Sequence, residues 1–220
     1  MTAHEPFQFI GCVELRQALD HRARDERELL DRLEDVPDGS VFYHTHGYFL
    51  RHRPITTAYG NDFAAWVAVH VRDQVLAERL AVINPFETGS LEDLREELMS
   101  AIHDHLLRLS TVPRVEFGDV FHFQQSHIVE VPLGPSATTL AEFRAGLAEV
   151  DASAIYYHMV EARTRLGRRS GDFAEWIRAA LALPELAERI ERIDAYMTSL
   201  ERVRARVLAL VDTVLEESGQ

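Results

Sequence analysis

The residues most able to do chemistry in this sequence are its eleven histidines. Histidine titrates near neutral pH and is a common metal ligand, so a histidine-rich chain invites acid–base or metal chemistry. The spacing limits that interpretation. On a helix His44 and His46 point in different directions, whereas on a strand they share a face. His105 falls on an apolar helical stripe and is interpreted as a structural histidine.

A sequence duplication singles out one histidine pair. The chain aligns with itself at a shift of 114 residues, and the match resumes at a shift of 110 residues after a short deletion. The clearest aligned segments are Val41–His44 with Ile155–His158, and Asp62–Trp66 with Asp172–Trp176. His44 and His158 are the only histidine pair present in both halves. Each follows a tyrosine, so Tyr43, His44, Tyr157 and His158 are the predicted ligand-binding residues.

A metal site is one use of this pair. If a twofold axis relates the halves near this segment, His44 and His158 approach each other, and His46 and Glu161 complete a polar cluster. Imidazole and carboxylate groups bind divalent metal ions, so these four residues are the predicted metal ligands. The same cluster would also suit acid–base chemistry near neutral pH. The alternative is that each histidine forms a hydrogen bond across a helix junction and fixes the packing.

The elements that position these residues are predicted to be mostly helices. Apolar residues at helical spacing dominate both halves, and Thr139 with Glu142 forms a capping box. Asp62 and Asp172 are predicted to be helix N-caps.

Each half also opens on a short alternating apolar segment, which predicts a strand. The first contains Phe7 and Phe9, and the second runs from Val120 to Val131 and is broken by Pro132. The predicted fold is therefore mainly α. It has two tandem pseudo-symmetric helical units, residues 1–112 and 113–220, with a short strand at the start of each, and the units either stand apart or share one core.

Composition excludes several classes of function. The net charge of −13 argues against binding to nucleic acid or an anionic membrane, although Arg163, Arg165, Arg168 and Arg169 form a local basic cluster. No apolar run is long enough to span a bilayer, and the polar N-terminus does not resemble a secretion signal. The single cysteine, Cys12, cannot form an internal disulfide, which favours a reducing compartment. The expected location of this acidic protein is the cytoplasm.

The familiar catalytic motifs are missing from the sequence. It contains no glycine-rich phosphate loop, Cys-x-x-Cys pair, His-Glu-x-x-His or Gly-x-Ser-x-Gly segment. No cofactor is indicated apart from a divalent metal ion, and no catalytic residue is assigned.

The motifs of both halves resemble an uncharacterised family. They are Ser40–His46, Asn61–Trp66, Ile155–His158 and Gly171–Trp176. The family contains bacterial and archaeal proteins of about this length, known as a domain of unknown function. The resemblance covers nearly the whole chain and implies no activity, cofactor or catalytic residue.

The leading functional hypothesis is a non-enzymatic binding or assembly module. It would act through a Tyr-His surface shared by the two halves, and its partner would be a second copy of the chain or another protein. The alternative is a metal-dependent enzyme with a His/Glu site between the halves.

Overall fold

A computed structural model describes residues 3–51, 59–115, 119–162, 170–195 and 198–218. In chain order its elements are β1 (Phe7–Ala23), α1 (Glu26–Asp35), α2 (Asp38–His44), α3 (Tyr48–Arg51), α4 (Asp62–Trp66), α5 (Gln74–Ala81), α6 (Leu91–Leu106), β2 (Phe121–Ala137), α7 (Leu140–Glu149), α8 (Ala152–Tyr156), α9 (Asp172–Ala180), α10 (Pro184–Glu191) and α11 (Leu200–Ser218). Two π-helical turns, Val67–Val71 and Tyr157–Glu161, continue α4 and α8. The basic cluster between Arg163 and Arg169 lies outside the described residues.

The strands overturn the predicted fold class. β1 and β2 are each 17 residues long and pair in a two-stranded antiparallel sheet, so the protein is mixed α/β. The prediction of a mainly α chain with a short strand at the start of each of two tandem helical units is therefore wrong. Pro132 does not end β2, because a proline is tolerated in a strand with an open edge.

The chain forms two compact units. The first unit combines Met1–Val13 with Ile128–Gln220, and the second unit is Glu14–His127. The assignment of repeat units to residues 1–112 and 113–220 rests on the sequence duplication and stays a prediction.

Each unit has an aromatic core to which a strand contributes alternate residues. In the first unit the ring of Phe7 packs 5.5 Å from those of Phe143 and Phe173. In the second unit the ring of Phe121 packs 5.2 Å from Phe63 and 5.6 Å from Trp66. These buried rings place the strand backbone beside the helices that carry the histidines.

The first residues of the helices confirm the predicted capping box and show that the predicted aspartate N-caps are wrong. The capping box of Thr139 and Glu142 is present at α7. Asp62 and Asp172 are not N-caps, because Asn61 and Gly171 occupy those positions. The two aspartates are the first residues of α4 and α9, which leaves their carboxylates available for contacts elsewhere.

Among the described residues, none of the helices has both the length and the apolar character that crossing a bilayer requires.

Candidate functional site

His44 ties a helix to a strand within the second unit. It is the last residue of α2 and is almost fully buried. Its Nδ1 lies 2.8 Å from Oδ2 of Asp62, and its Nε2 accepts the backbone N–H of Gln124 at 3.0 Å. Since Gln124 belongs to β2, one imidazole joins α2, α4 and the strand.

His158 makes the same set of contacts within the first unit. Its Nδ1 lies 2.8 Å from Oδ2 of Asp172, and its Nε2 accepts the backbone N–H of Ile10 in β1 at 3.0 Å. The residue is 2% exposed. The two histidines thus each bind the first aspartate of a helix and a strand amide.

These contacts fix the tautomer and occupy both ring nitrogens. Nε2 accepts a backbone N–H and is therefore unprotonated, so the proton sits on Nδ1 and is donated to the aspartate. Burial lowers the pKa of His44, an effect that the carboxylate of Asp62 opposes, so the neutral ring is favoured. A metal ion on either imidazole would have to displace one of these hydrogen bonds.

The neighbouring tyrosines are also buried and bonded. The Tyr43 hydroxyl donates to the side-chain oxygen of Gln124 at 2.9 Å, and the Tyr157 hydroxyl bonds to the carboxylate of Glu130. Tyr43 is 3% exposed and Tyr157 is 2% exposed. These side chains therefore do not form an accessible surface in this structure, and their role in binding stays a prediction.

Arg51 completes the network around Tyr43. Its guanidinium lies 3.8 Å from the centre of the Tyr43 ring and donates to Asp62 at 2.6 Å and to the Tyr43 carbonyl at 2.8 Å. Asp62 thus pairs with both Arg51 and His44. A carboxylate with two partners of this kind is a rigid structural element.

The other predicted metal ligands lie in different surroundings. His46 follows the end of α2, is buried, and stacks on the Phe42 ring at 5.1 Å. Burial lowers the pKa of His46 to about 4, against the effect of a hydrogen bond to the Pro85 carbonyl. Glu161 is half-buried at the end of the π-helical turn in the first unit, whereas His46 belongs to the second. The four-residue metal set stays a prediction.

The structure brings together three titratable residues that the sequence analysis did not connect. Glu26 is the first residue of α1, Asp73 is the N-cap of α5, and His105 lies in the last turn of α6. One carboxylate oxygen from each acid and one imidazole nitrogen all lie within 4.8 Å of one another. We call these residues the Glu-Asp-His cluster. All three belong to the second unit.

The available signal for this cluster was the mismatch between the two halves. His105 aligns with Val214, so a polar residue stands where the other half has an apolar one. The apolar stripe around His105 favoured a structural role, because periodicity within one helix does not reveal which residues of other helices face it.

The comparisons with known proteins give a family and a similar structure. A solved structure described as "The structure of OrfY from Thermoproteus tenax" is similar to this chain, with a TM-score of 0.82 and 28% sequence identity. The match covers 97% of both chains. A search of curated proteins finds no match. The model of a family of unknown function, DUF5752, matches residues 4–212. This chain therefore belongs to the DUF5752 family.

Proposed function

We propose that this protein is an assembly module that pairs with a second copy of itself through the open edge of β1. The observation that carries the proposal is the order of charges along this strand. When two copies of β1 pair antiparallel, a positive residue of one copy faces a negative residue of the other. The proposal keeps the expectation of a non-enzymatic binding protein. It moves the binding surface from the buried tyrosines and histidines to the strand.

The backbone of β1 supports this role. Among the described residues the sheet contains two strands, so each strand has one edge whose N–H and C=O groups are not paired within the sheet. Open edges of this kind are templates for pairing with another chain. β1 contains no proline, whereas β2 contains Pro132 and Pro135, which cannot donate to a ladder. β1 is therefore the better edge for pairing.

The side chains of β1 favour an identical partner. Arg16, Ala18 and Asp20 are exposed and lie on one face of the strand. If two copies of β1 pair antiparallel around Ala18, Arg16 of each copy lies opposite Asp20 of the other. The pair of Arg16 and Asp20 therefore forms twice in the dimer, because the arrangement is symmetric. Cross-strand pairs of opposite charge stabilise a sheet by roughly 0.2–1 kcal/mol each.

The other face of β1 adds apolar area. Val13 is 51% exposed and Leu15 is 56% exposed, although both are well suited to a buried strand. Pairing with a second copy would reduce the exposure of these side chains. Exposed apolar residues on an open strand are a common mark of an interaction surface.

The experiment is a charge swap across the proposed interface. The oligomeric state of the full chain is measured by sedimentation over a range of concentrations. We expect a dimer, and we expect Arg16→Asp to raise its dissociation constant about tenfold or more, since like charges then face each other. The double variant Arg16→Asp/Asp20→Arg is expected to restore the dimer.

Arg27→Asp is the matched control, because it makes the same charge change at an exposed position of α1. A chain that is monomeric at every concentration contradicts the proposal. So does a dimer that Arg16→Asp and Arg27→Asp weaken equally, or one that the double variant fails to restore.

Two other expectations stay predictions. Location in the cytoplasm rests on the single cysteine. The alternative of a metal-dependent enzyme built on His44, His46, His158 and Glu161 gains no support from the hydrogen bonds that His44 and His158 already make.

A further inference from the structure

We propose that Glu26, Asp73 and His105 bind a divalent transition-metal ion through one imidazole nitrogen and two carboxylates. The site lies within the second unit, and none of its three residues belongs to the β1 segment invoked for assembly. It is independent of His44 and His158.

The side chain of Glu26 is the first observation that points to a bound ligand. Its side chain is completely buried, and neither of its carboxylate oxygens has a hydrogen-bond partner among the described residues. Burying an unpaired carboxylate carries a large free-energy cost, which proteins avoid by pairing it, protonating it or binding a metal ion. The pKa of Glu26 is raised to about 7, first by burial and then by the nearby carboxylates of Asp73 and Asp25.

Asp73 and His105 present their ligand atoms to the same point. Oδ1 of Asp73 accepts the backbone N–H of Leu76 at 2.9 Å, and its Oδ2 lies 2.8 Å from Nε2 of His105. The cap therefore fixes the Asp73 carboxylate, and a bound ion would replace the hydrogen bond between its second oxygen and the imidazole. An ion held at about 2.1 Å by each ligand separates ligand atoms by about 3.4 Å in tetrahedral geometry. Since the three atoms already lie within 4.8 Å of one another, small side-chain rotations suffice.

The other half of the chain shows that these polar residues are replaceable. In the sequence alignment of the halves, Glu26, Asp73 and His105 correspond to Leu140, Leu183 and Val214. The first two of these positions match in the structure as well. Glu26 and Leu140 each begin a ten-residue helix, and Asp73 and Leu183 are each the N-cap of an eight-residue helix. Helices of the same length thus begin with apolar residues at the first two positions, so the polar set in the second unit calls for a separate explanation.

The donor set defines the class of metal. One imidazole and two carboxylates suit Zn²⁺, Mn²⁺ or Fe²⁺, whereas the absence of a thiolate argues against Cu⁺. Three protein ligands leave at least one coordination position for water or another small ligand. Binding would release protons, because the carboxyl groups and the coordinating nitrogen must be deprotonated.

The experiment titrates metal-free, untagged full-length protein with Zn²⁺ and Mn²⁺ by calorimetry. We expect one equivalent to bind, and we expect the midpoint of thermal unfolding to rise by about 5 °C or more at a hundredfold excess over the dissociation constant. Co²⁺ should give a visible absorption spectrum without a thiolate charge-transfer band. Wild type that binds none of these ions overturns the proposal, whatever the variants do.

The variants are taken from the other half of the chain. His105→Val and the triple variant Glu26→Leu/Asp73→Leu/His105→Val copy the residues found there. We expect both to fold, judged by circular dichroism, and to bind at least about a hundredfold more weakly. His103→Val, at an exposed position of the same helix, should bind as wild type does. If His105→Val and His103→Val have equal effects, or if the folded triple variant keeps its affinity, the site is not the Glu-Asp-His cluster.

Discussion

The Nε2 of His158 accepts the backbone N–H of Ile10, a residue 148 positions earlier in the chain, at 3.0 Å. The same ring binds Asp172 through Nδ1. A single imidazole therefore connects a strand to the start of a helix in the first unit. His44 makes the corresponding bonds to Gln124 and Asp62 in the second unit.

Removal of this connection should destabilise the fold. His158→Ala leaves the N–H of Ile10 without an acceptor and opens a cavity, and we expect a loss of about 3 kcal/mol in the free energy of unfolding. His158→Gln should lose less, because its amide oxygen can accept the same N–H. Urea denaturation measures the loss in the free energy of unfolding, and hydrogen exchange should show a faster exchange of the Ile10 amide.

His122→Ala, at an exposed position of β2, is the control and should change stability by less than about 0.5 kcal/mol. Equal losses in all three variants would contradict this assignment.

The sequence singles out the histidine pair because His44 and His158 stand at aligned positions of its two halves, but it does not reveal their role. The sequence predicts Asp62 and Asp172 to be N-caps because that preference is local and strong. The bonds to the histidines span 18 and 14 residues, and no local pattern reports them. The paired tyrosines and histidines therefore predict a binding surface. In the structure all four side chains, those of Tyr43, His44, Tyr157 and His158, are buried.

The strands were underestimated for a related reason. Alternating burial is clear only near their ends, as at Phe7 and Phe9 in β1. Residues 15–18 of β1 are exposed on both faces, so no alternation marks them as strand. Their pairing is set by a strand about 110 residues away, which sequence periodicity cannot show. The Glu-Asp-His cluster was missed because its three members come from different helices.

Gly171 is predicted to be needed where α9 meets the backbone around His158. A Cβ at this position would lie 2.6 Å from the His158 carbonyl oxygen and 3.4 Å from Cα of Met159. Both are backbone atoms that cannot rotate away, so we expect Gly171→Ala to cost about 2 kcal/mol in the free energy of unfolding. Gly39→Ala is the control, because its nearest contact would be an ordinary 3.6 Å and the residue lies in α2. That variant should be neutral or more stable by up to about 1 kcal/mol. If thermal unfolding shows equal effects, crowding at Gly171 is not important.

His46 should make stability depend on pH. Its pKa in the folded protein is about 4, below the ordinary value of 6.5, so between these values the unfolded chain binds a proton that the folded protein does not. Stability is therefore unaffected above about pH 6.5 and falls as the pH drops towards 4. His46→Phe keeps an aromatic ring against Phe42 but cannot titrate. On going from pH 7.5 to pH 5, we expect wild type to lose about 2 kcal/mol more in the free energy of unfolding than this variant, measured by urea denaturation.

The carboxylates titrate in both proteins, so their contribution cancels in the comparison. His103→Phe, at an exposed position, should follow the wild-type profile. A His46→Phe profile parallel to that of wild type would mean that His46 is readily protonated in the folded protein.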